Sequence, residues 1–390
     1  MTQQPDGRTL ELLETLVGFD TTSRNSNLAL IDFVRDHLEG LGADCRVVPS
    51  EDRQKANLYA TIGPRDRGGV MLSGHSDVVP VDGQNWSTDP FTVVERDGRF
   101  YGRGTCDMKG FIACVLAAAP AFAAADLSEP LHIAVTYDEE VGCQGVPGLI
   151  DAIRDLSVQP RLCIVGEPTE MNVAIGHKGS RAYHARFHGR EAHSSLAPTT
   201  VNAVEYAADL VVRLRELGRR FAEGGPFDND YDVTHTTVHS GVIHGGRQVN
   251  IVPALCELDF EFRPLPEQDD DAVEAEIRQW VDGELAPEMT AVQPGCGIDL
   301  QRRYAYPGLS TAPEEDIVAF AGELSGRTIP IKVAFGTEAG AFRNGLGIPA
   351  VVCGPGSIRQ AHQPDEFISA EQLAACDAFM LRLLDRMKTS

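Results

Sequence analysis

Gly69-Val70-Met71-Leu72-Ser73-Gly74-His75-Ser76-Asp77 runs from a short apolar segment into a histidine and, two residues later, a carboxylate. The run Gly69 to Leu72 reads as a strand that delivers His75 at its C-terminal edge. A metal-bound imidazole needs an acceptor for its other ring N–H, and the His-x-Asp spacing offers one in Asp77. The same stretch closes at Gly102-Arg103-Gly104-Thr105-Cys106-Asp107-Met108-Lys109. There Asp107 precedes an apolar segment, Phe111 to Ala125, that reads as a buried helix. A carboxylate at a helix start is favoured by the dipole and the free N–H groups.

Outward from this stretch, strand-like runs alternate with helical spacing: strands at Cys45 to Val48, Asn57 to Ile62, Leu131 to Tyr137 and Arg161 to Val165, and helices at Leu28 to Leu41 and Val146 to Leu156. Asp97-Gly98 is a hairpin turn signal. The alternation predicts an α/β fold with a mostly parallel sheet covered by helices. In such sheets, ligand sites gather at the carboxyl ends of strands. His75, Asp138-Glu139-Glu140 and Glu167 all fall just after predicted strands. Near Arg181 the pattern changes to strand, helix, strands, helix, which reads as an inserted α+β unit. The expected organisation is a two-domain chain: a catalytic domain of residues 1–181 and 294–390, interrupted by residues 182–293.

Length and composition narrow the function. With 38 Gly and 23 Pro in 390 residues, the chain suits an α/β protein with many tight connections. No apolar run approaches the ~20 residues that span a bilayer. The N-terminus shows neither a basic nor an apolar leader, so a cytoplasmic protein without a membrane partner is expected. A net charge of −23 argues against nucleic acid. The nine cysteines are scattered without Cys-x-x-Cys, which excludes a thiolate zinc site and a disulfide framework. Cys106 lacks the His/Asn partner pattern of a nucleophile. No Gly-x-Gly-x-x-Gly turn joins the first strand and helix, which sets aside a dinucleotide-binding oxidoreductase.

His75, Asp107, Glu140, Glu167 and His362 stand at turn positions from which they can converge. Singly they have plainer readings: Asp107 as a helix cap, Glu140 and Glu167 as solvated loop residues, His362 as a turn residue. Together, four donors and one shared carboxylate make two sites of three protein ligands each. Imidazole with carboxylate and no thiolate suits Zn²⁺ or Co²⁺. Glu139 and Glu140 follow a strand and tend to point to opposite sides, so one can bind metal while the other serves as general base.

Gly74-His75-Ser76-Asp77-Val78-Val79-Pro80, Tyr101 to Gly110, Asp138-Glu139-Glu140, Gly166-Glu167-Pro168-Thr169 and His362-Gln363-Pro364-Asp365-Glu366 resemble the M20 metallopeptidase family. The resemblance covers nearly the whole chain. It implies two Zn²⁺, with Co²⁺ able to substitute, bridged by Asp107. His75 and Glu167 would complete one site, Glu140 and His362 the other. Glu139 would be the general acid/base acting on a metal-bridging water, and Asp77 would orient His75. The inserted unit would be a ferredoxin-like lid that forms a homodimer, from which His193 in Gly189 to Ser195 reaches the partner's site to stabilise an oxyanion. The expected reaction is hydrolysis of an N-acylated amino acid, N²-acetyl-L-ornithine, to L-ornithine and acetate in arginine biosynthesis. Alternatives within the family are succinyl-diaminopimelate desuccinylase, aminoacylase and dipeptidase activity. An ornithine substrate needs a partner for its carboxylate, offered by Arg247, Asn250 or Arg263, and one for its ammonium, offered by Glu338.

Overall fold

Val70–His75 is buried along its whole length in the computed structural model, which describes residues 4–389. It lies inside a nine-stranded sheet, flanked in parallel by Leu131–Thr136 and Leu162–Pro168, and Ala350–Gly354 runs parallel beside the latter. Asp44–Pro49 and Ala56–Ile62 join antiparallel on one side, and Ala174–His177 on the other. The parallel strands are linked through helices Lys109–Ala124 and Val146–Arg154, the crossover that parallel pairing requires.

Lys109–Ala124 is apolar around most of its circumference. The reason is that helices Gly7–Val17 and Ala370–Met387 cover it on the side away from the sheet. Phe111, Ile112 and Leu116 share a core with Leu72, Ile133 and Ile164 of the strands.

A small three-stranded sheet determines much of the site. Asp97 and Gly98, at φ 51° and 71°, make the hairpin between Val94–Arg96 and Arg99–Tyr101. Phe367–Ser369 pairs with Arg99–Tyr101, and the Gly102 N–H donates to the Glu366 carbonyl at 2.9 Å. The segments leading to Asp107 and following His362 are thereby stitched together.

The chain divides into two compact units: one holds the residues up to His177 and from Leu309 onward, the other Lys178–Gly308. The second unit has its own core and a four-stranded antiparallel sheet, in the order Thr237–Gly245, Leu255–Arg263, Ser180–His188, Gly297–Tyr306. Helices Ala203–Gly224 and Asp270–Trp280 connect these strands in the β-α-β-β-α-β order of a ferredoxin-like unit. It begins at Lys178 rather than 182 and ends at Gly308 rather than 293. The residues after Cys296 do not return to the parallel sheet: Gly297–Tyr306 pairs along the whole of Ser180–His188. The elements without a readable pattern include the strands Ala174–His177 and Phe367–Ser369 and the helix Ala339–Leu346. Among the described residues, no helix is long and apolar enough to cross a membrane.

Candidate metal centre

His75 ends its strand with a buried ring. Its Nδ1 lies 2.8 Å from the main-chain carbonyl of Asp77, which can only accept, so Nδ1 carries a proton and Nε2 is the nitrogen that would be free to ligate a metal. Nε2 points at Asp107 Oδ1 (3.1 Å) and Glu167 Oε1 (3.5 Å). The orienting group is therefore the backbone of Asp77 and not its carboxylate, whose Oδ1 is 3.7 Å from Nδ1. That carboxylate accepts instead from the N–H groups of Glu139 (3.1 Å) and Glu140 (3.3 Å) and from Ser23 Oγ (2.7 Å). It fixes the turn bearing both glutamates.

Asp107 stands one residue before the N-cap Met108 and caps nothing. Its Oδ2 faces His362 Nε2 at 3.3 Å, and the same nitrogen lies 3.0 Å from Glu140 Oε2. The two oxygens of Asp107 are thus divided between the two histidines. One ligand atom each from His75, Glu139 and Glu167 lie within 4.8 Å of one another, as do those of His75, Asp107 and Glu140. The turn residues here adopt left-handed backbone: Asp138, Cys143 and His362 have φ of 57°, 55° and 62°. Such conformations cluster at functional sites because the surrounding structure must hold them.

The electrostatics ask for cations. Burial pushes the carboxyl groups of Glu139, Glu140 and Glu167 up, Glu140 to about 7, and neighbouring carboxylates add to the effect. Burial opposes protonation of His75, but Glu167 and Asp107 outweigh it and raise the imidazole. Hydrogen bonds to Asp107 and Glu140 raise His362 to about 10. Four buried carboxylates, Asp107, Glu139, Glu140 and Glu167, thus face two imidazoles, an excess of negative charge that cations would balance. Glu140 Oε1 and Glu167 Oε1 are buried acceptors with no donor at all, a costly state that a cation removes. Oxygen and imidazole donors in this arrangement fit a pair of divalent ions.

Several supports carried no signal in the sequence. The Cys143 thiol lies 3.6 Å from Glu139 Oε1. Lys55 Nζ pairs with the Asp138 carboxylate and the Ser23 carbonyl, pinning the turn from outside. Gly166 precedes Glu167 where a Cβ would come within 2.1 Å of the Phe111 ring, so only glycine admits that helix against the strand.

Glu338 is not a substrate group. It is fully buried, and its two oxygens accept from Ser73 Oγ (3.0 Å) and Thr136 Oγ1. In the second unit, Ala192–His193 pairs with Ile251–Val252, and Ser194 N–H donates to the Asn250 carbonyl at 3.0 Å. His193 and Asn250 are therefore neighbours, with the exposed ring Nδ1 accepting from Ser195. Arg247 lines a 250 Å³ cavity with Glu191 and His244. Arg263 lies at the opposite end of Leu255–Arg263, roughly 25 Å along the strand, and its Nε is taken by Glu261 at 2.9 Å. It does not join the other two.

Residues 71–386 match peptidase family M20/M25/M40. The chain is 36% identical over 375 residues, 95% of each protein, to an acetylornithine deacetylase of Myxococcus xanthus. It superposes on an M20 family metallo-carboxypeptidase from Sulfolobus solfataricus with a TM-score of 0.76 at 19% identity, covering 97% of this chain and 99% of the other. A dinuclear metal-binding peptidase of the M20 family from Bacillus subtilis superposes with a TM-score of 0.65 at 14% identity, covering 97% and 96%. At those identities the solved structures establish the fold alone, and the sequence match carries the relationship. With its paired histidines, its shared aspartate and its cation-seeking carboxylates, the chain belongs to peptidase family M20/M25/M40 and is a metal-dependent amidohydrolase.

Proposed function

We propose that the enzyme hydrolyses N²-acetyl-L-ornithine to L-ornithine and acetate, a step of arginine biosynthesis in the cytoplasm. The observation that carries this reading is the likeness, at 34–36% identity over 88–96% of this chain, to four proteins named acetylornithine deacetylase. In this reading His75, Asp107 and Glu167 would hold one Zn²⁺ and Asp107, Glu140 and His362 would hold a second, with Co²⁺ able to replace zinc. When bound, the metals supply Lewis acidity that lowers the pKa of a water and polarises the amide carbonyl. Glu139 would act as the general acid/base, taking a proton from the attacking water and returning it to the leaving amine. Its backbone is fixed by Asp77 and its burial makes it a stronger base than an exposed carboxylate. The lid unit supplies His193 to the partner's site in a homodimer, and Asn250 beside it binds the substrate carboxylate.

Assaying the zinc-loaded protein against acetylornithine, succinyl-diaminopimelate, N-acyl amino acids and a dipeptide panel tests the substrate. Acetylornithine should be turned over with the highest kcat/KM; preference for another of these would reassign the activity within the family. Glu139→Gln should lower kcat by about 10²–10⁴-fold while metal content, measured by elemental analysis, stays at two ions. Retained turnover would reject the acid/base role.

A further inference from the structure

Arg103 and Glu366 form a buried ion pair, Nη1 to Oε2 2.6 Å, with each side chain 1% exposed. Neither belongs to the ligand set. The other Glu366 oxygen accepts from the backbone N–H groups of Cys106 (2.9 Å) and Asp107 (3.0 Å). It therefore holds the main chain of the shared carboxylate. On the far side, Arg103 Nη2 donates to Gln84 Oε1 at 2.6 Å, and the guanidinium lies over the Trp86 ring at 5.0 Å. The Trp86 indole donates to the same Gln84 oxygen at 3.0 Å. Gln84 Nε2 then donates to the His362 carbonyl at 3.0 Å, and Arg103 Nη1 reaches the Gln363 carbonyl at 3.3 Å. The amide orientation of Gln84 is determined by its partners: two obligate donors meet its oxygen, and a carbonyl meets its nitrogen.

One chain of hydrogen bonds thus joins the backbone of Asp107 to that of His362. The two histidines depend on it unequally. His75 is held in a buried strand and by Asp77, and Glu167 lies in the buried strand Leu162–Pro168. His362 sits in a turn at φ 62° with its side chain 52% exposed, and no strand restrains it.

We propose that Gln84, held in place by the Arg103–Glu366 pair, is a positioning residue for one metal site, the site of Asp107, Glu140 and His362, and that the affinity of this site depends on Gln84 while that of the His75–Glu167 site does not. The proposal rests on the two-metal reading above and deepens it. Groups that orient ligands from behind typically change metal affinity about 10–100-fold when removed.

Gln84 is the residue to vary, because it is only half-buried and lies outside the ion pair. Gln84→Glu keeps an acceptor for Arg103 and Trp86 but turns an oxygen towards the His362 carbonyl; Gln84→Ala removes all three bonds. The full-length metal-free protein is titrated with Zn²⁺ by calorimetry, and with Co²⁺ by visible absorption. For both variants, one equivalent should keep its wild-type affinity within about two-fold and the other should weaken about ten-fold or more. The Co²⁺ spectrum of that weakened equivalent should change, while the thermal midpoint of the metal-free protein stays the same. Two equivalents bound as in wild type, or both weakened together, would overturn the relay. A wild-type protein that takes up a single equivalent would overturn the two-metal reading and the relay with it.

Discussion

Asp107 faces both histidines through different oxygens, at 3.1 and 3.3 Å. Asp107→Ala should therefore cost more metal than loss of any other single ligand, measured as ions retained after dialysis. Two ions held normally by that variant would refute the shared-carboxylate arrangement. The position of Glu338 leads to a different expectation. Its removal in Glu338→Ala leaves the Ser73 and Thr136 hydroxyls buried without their acceptor, a loss of about 2–4 kcal/mol in urea unfolding. Discrimination between substrates with and without a side-chain ammonium should not change, since that carboxylate faces hydroxyls inside the fold. Gly166→Ala forces a methyl into the Phe111 ring, a clash worth about 1–3 kcal/mol that should also disturb the adjacent Glu167.

Along the elements, hydrophobic period told more about strands than about their partners. Gly297–Tyr306 has an alternating pattern, but nothing in it says whether it pairs with the parallel sheet or with Ser180–His188. A polar cluster behind that pairing helps to settle it. Arg181, Tyr183 and Arg302, on the two strands, all bond Glu274 Oε2 of the helix Asp270–Trp280, at 2.9, 2.8 and 3.0 Å. Burial alone would push Glu274 up, yet bonds from Tyr183, Arg278, Arg302 and Arg181 outweigh it and hold the carboxyl down at about 2. Because the folded pKa lies below the unfolded value, this stabilisation is fully present above about pH 4.5 and is lost as pH falls towards 2. Allowing for solvent screening, its size is of order 1–2 kcal/mol. Glu274→Gln should lower stability by that amount at pH 6 and by much less at pH 2.5, read from urea midpoints at the two pH values.

The whole molecule is an insertion of one unit into another. His177 pairs with Leu309 in the first unit, and Ser180 pairs with Tyr306 in the second. Each unit thus closes across the point where the chain leaves and returns, and each has its own core. All five proposed ligands and Glu139 belong to the first unit, while His193 and Asn250 belong to the second. Replacing residues 178–308 with a short glycine linker should leave metal uptake at two ions and abolish turnover. Turnover that survived the replacement would remove the lid from the mechanism.

Much of this could be read from the residue order. Runs such as Val70 to Leu72 and Leu131 to Val135 betray buried parallel strands because both faces are covered. Strand ends place His75 and Glu167 without any knowledge of the rest. The Asp97-Gly98 turn needs only the local preference for positive φ. Other features arise from contacts between distant segments, which no local pattern encodes. The acceptor for His75 proved to be the Asp77 backbone, since the direction of a carbonyl is settled by how the strand ends. Glu338 is buried at the start of a helix, where Ser73 and Thr136 from two strands supply its donors. The approach of His362 to Asp107 depends on Phe367–Ser369 finding Arg99–Tyr101, and on Arg103, Glu366 and Gln84 closing the space between them. Residue types announce the chemistry a chain can perform; the pairing of remote strands sets the few ångströms at which it is performed.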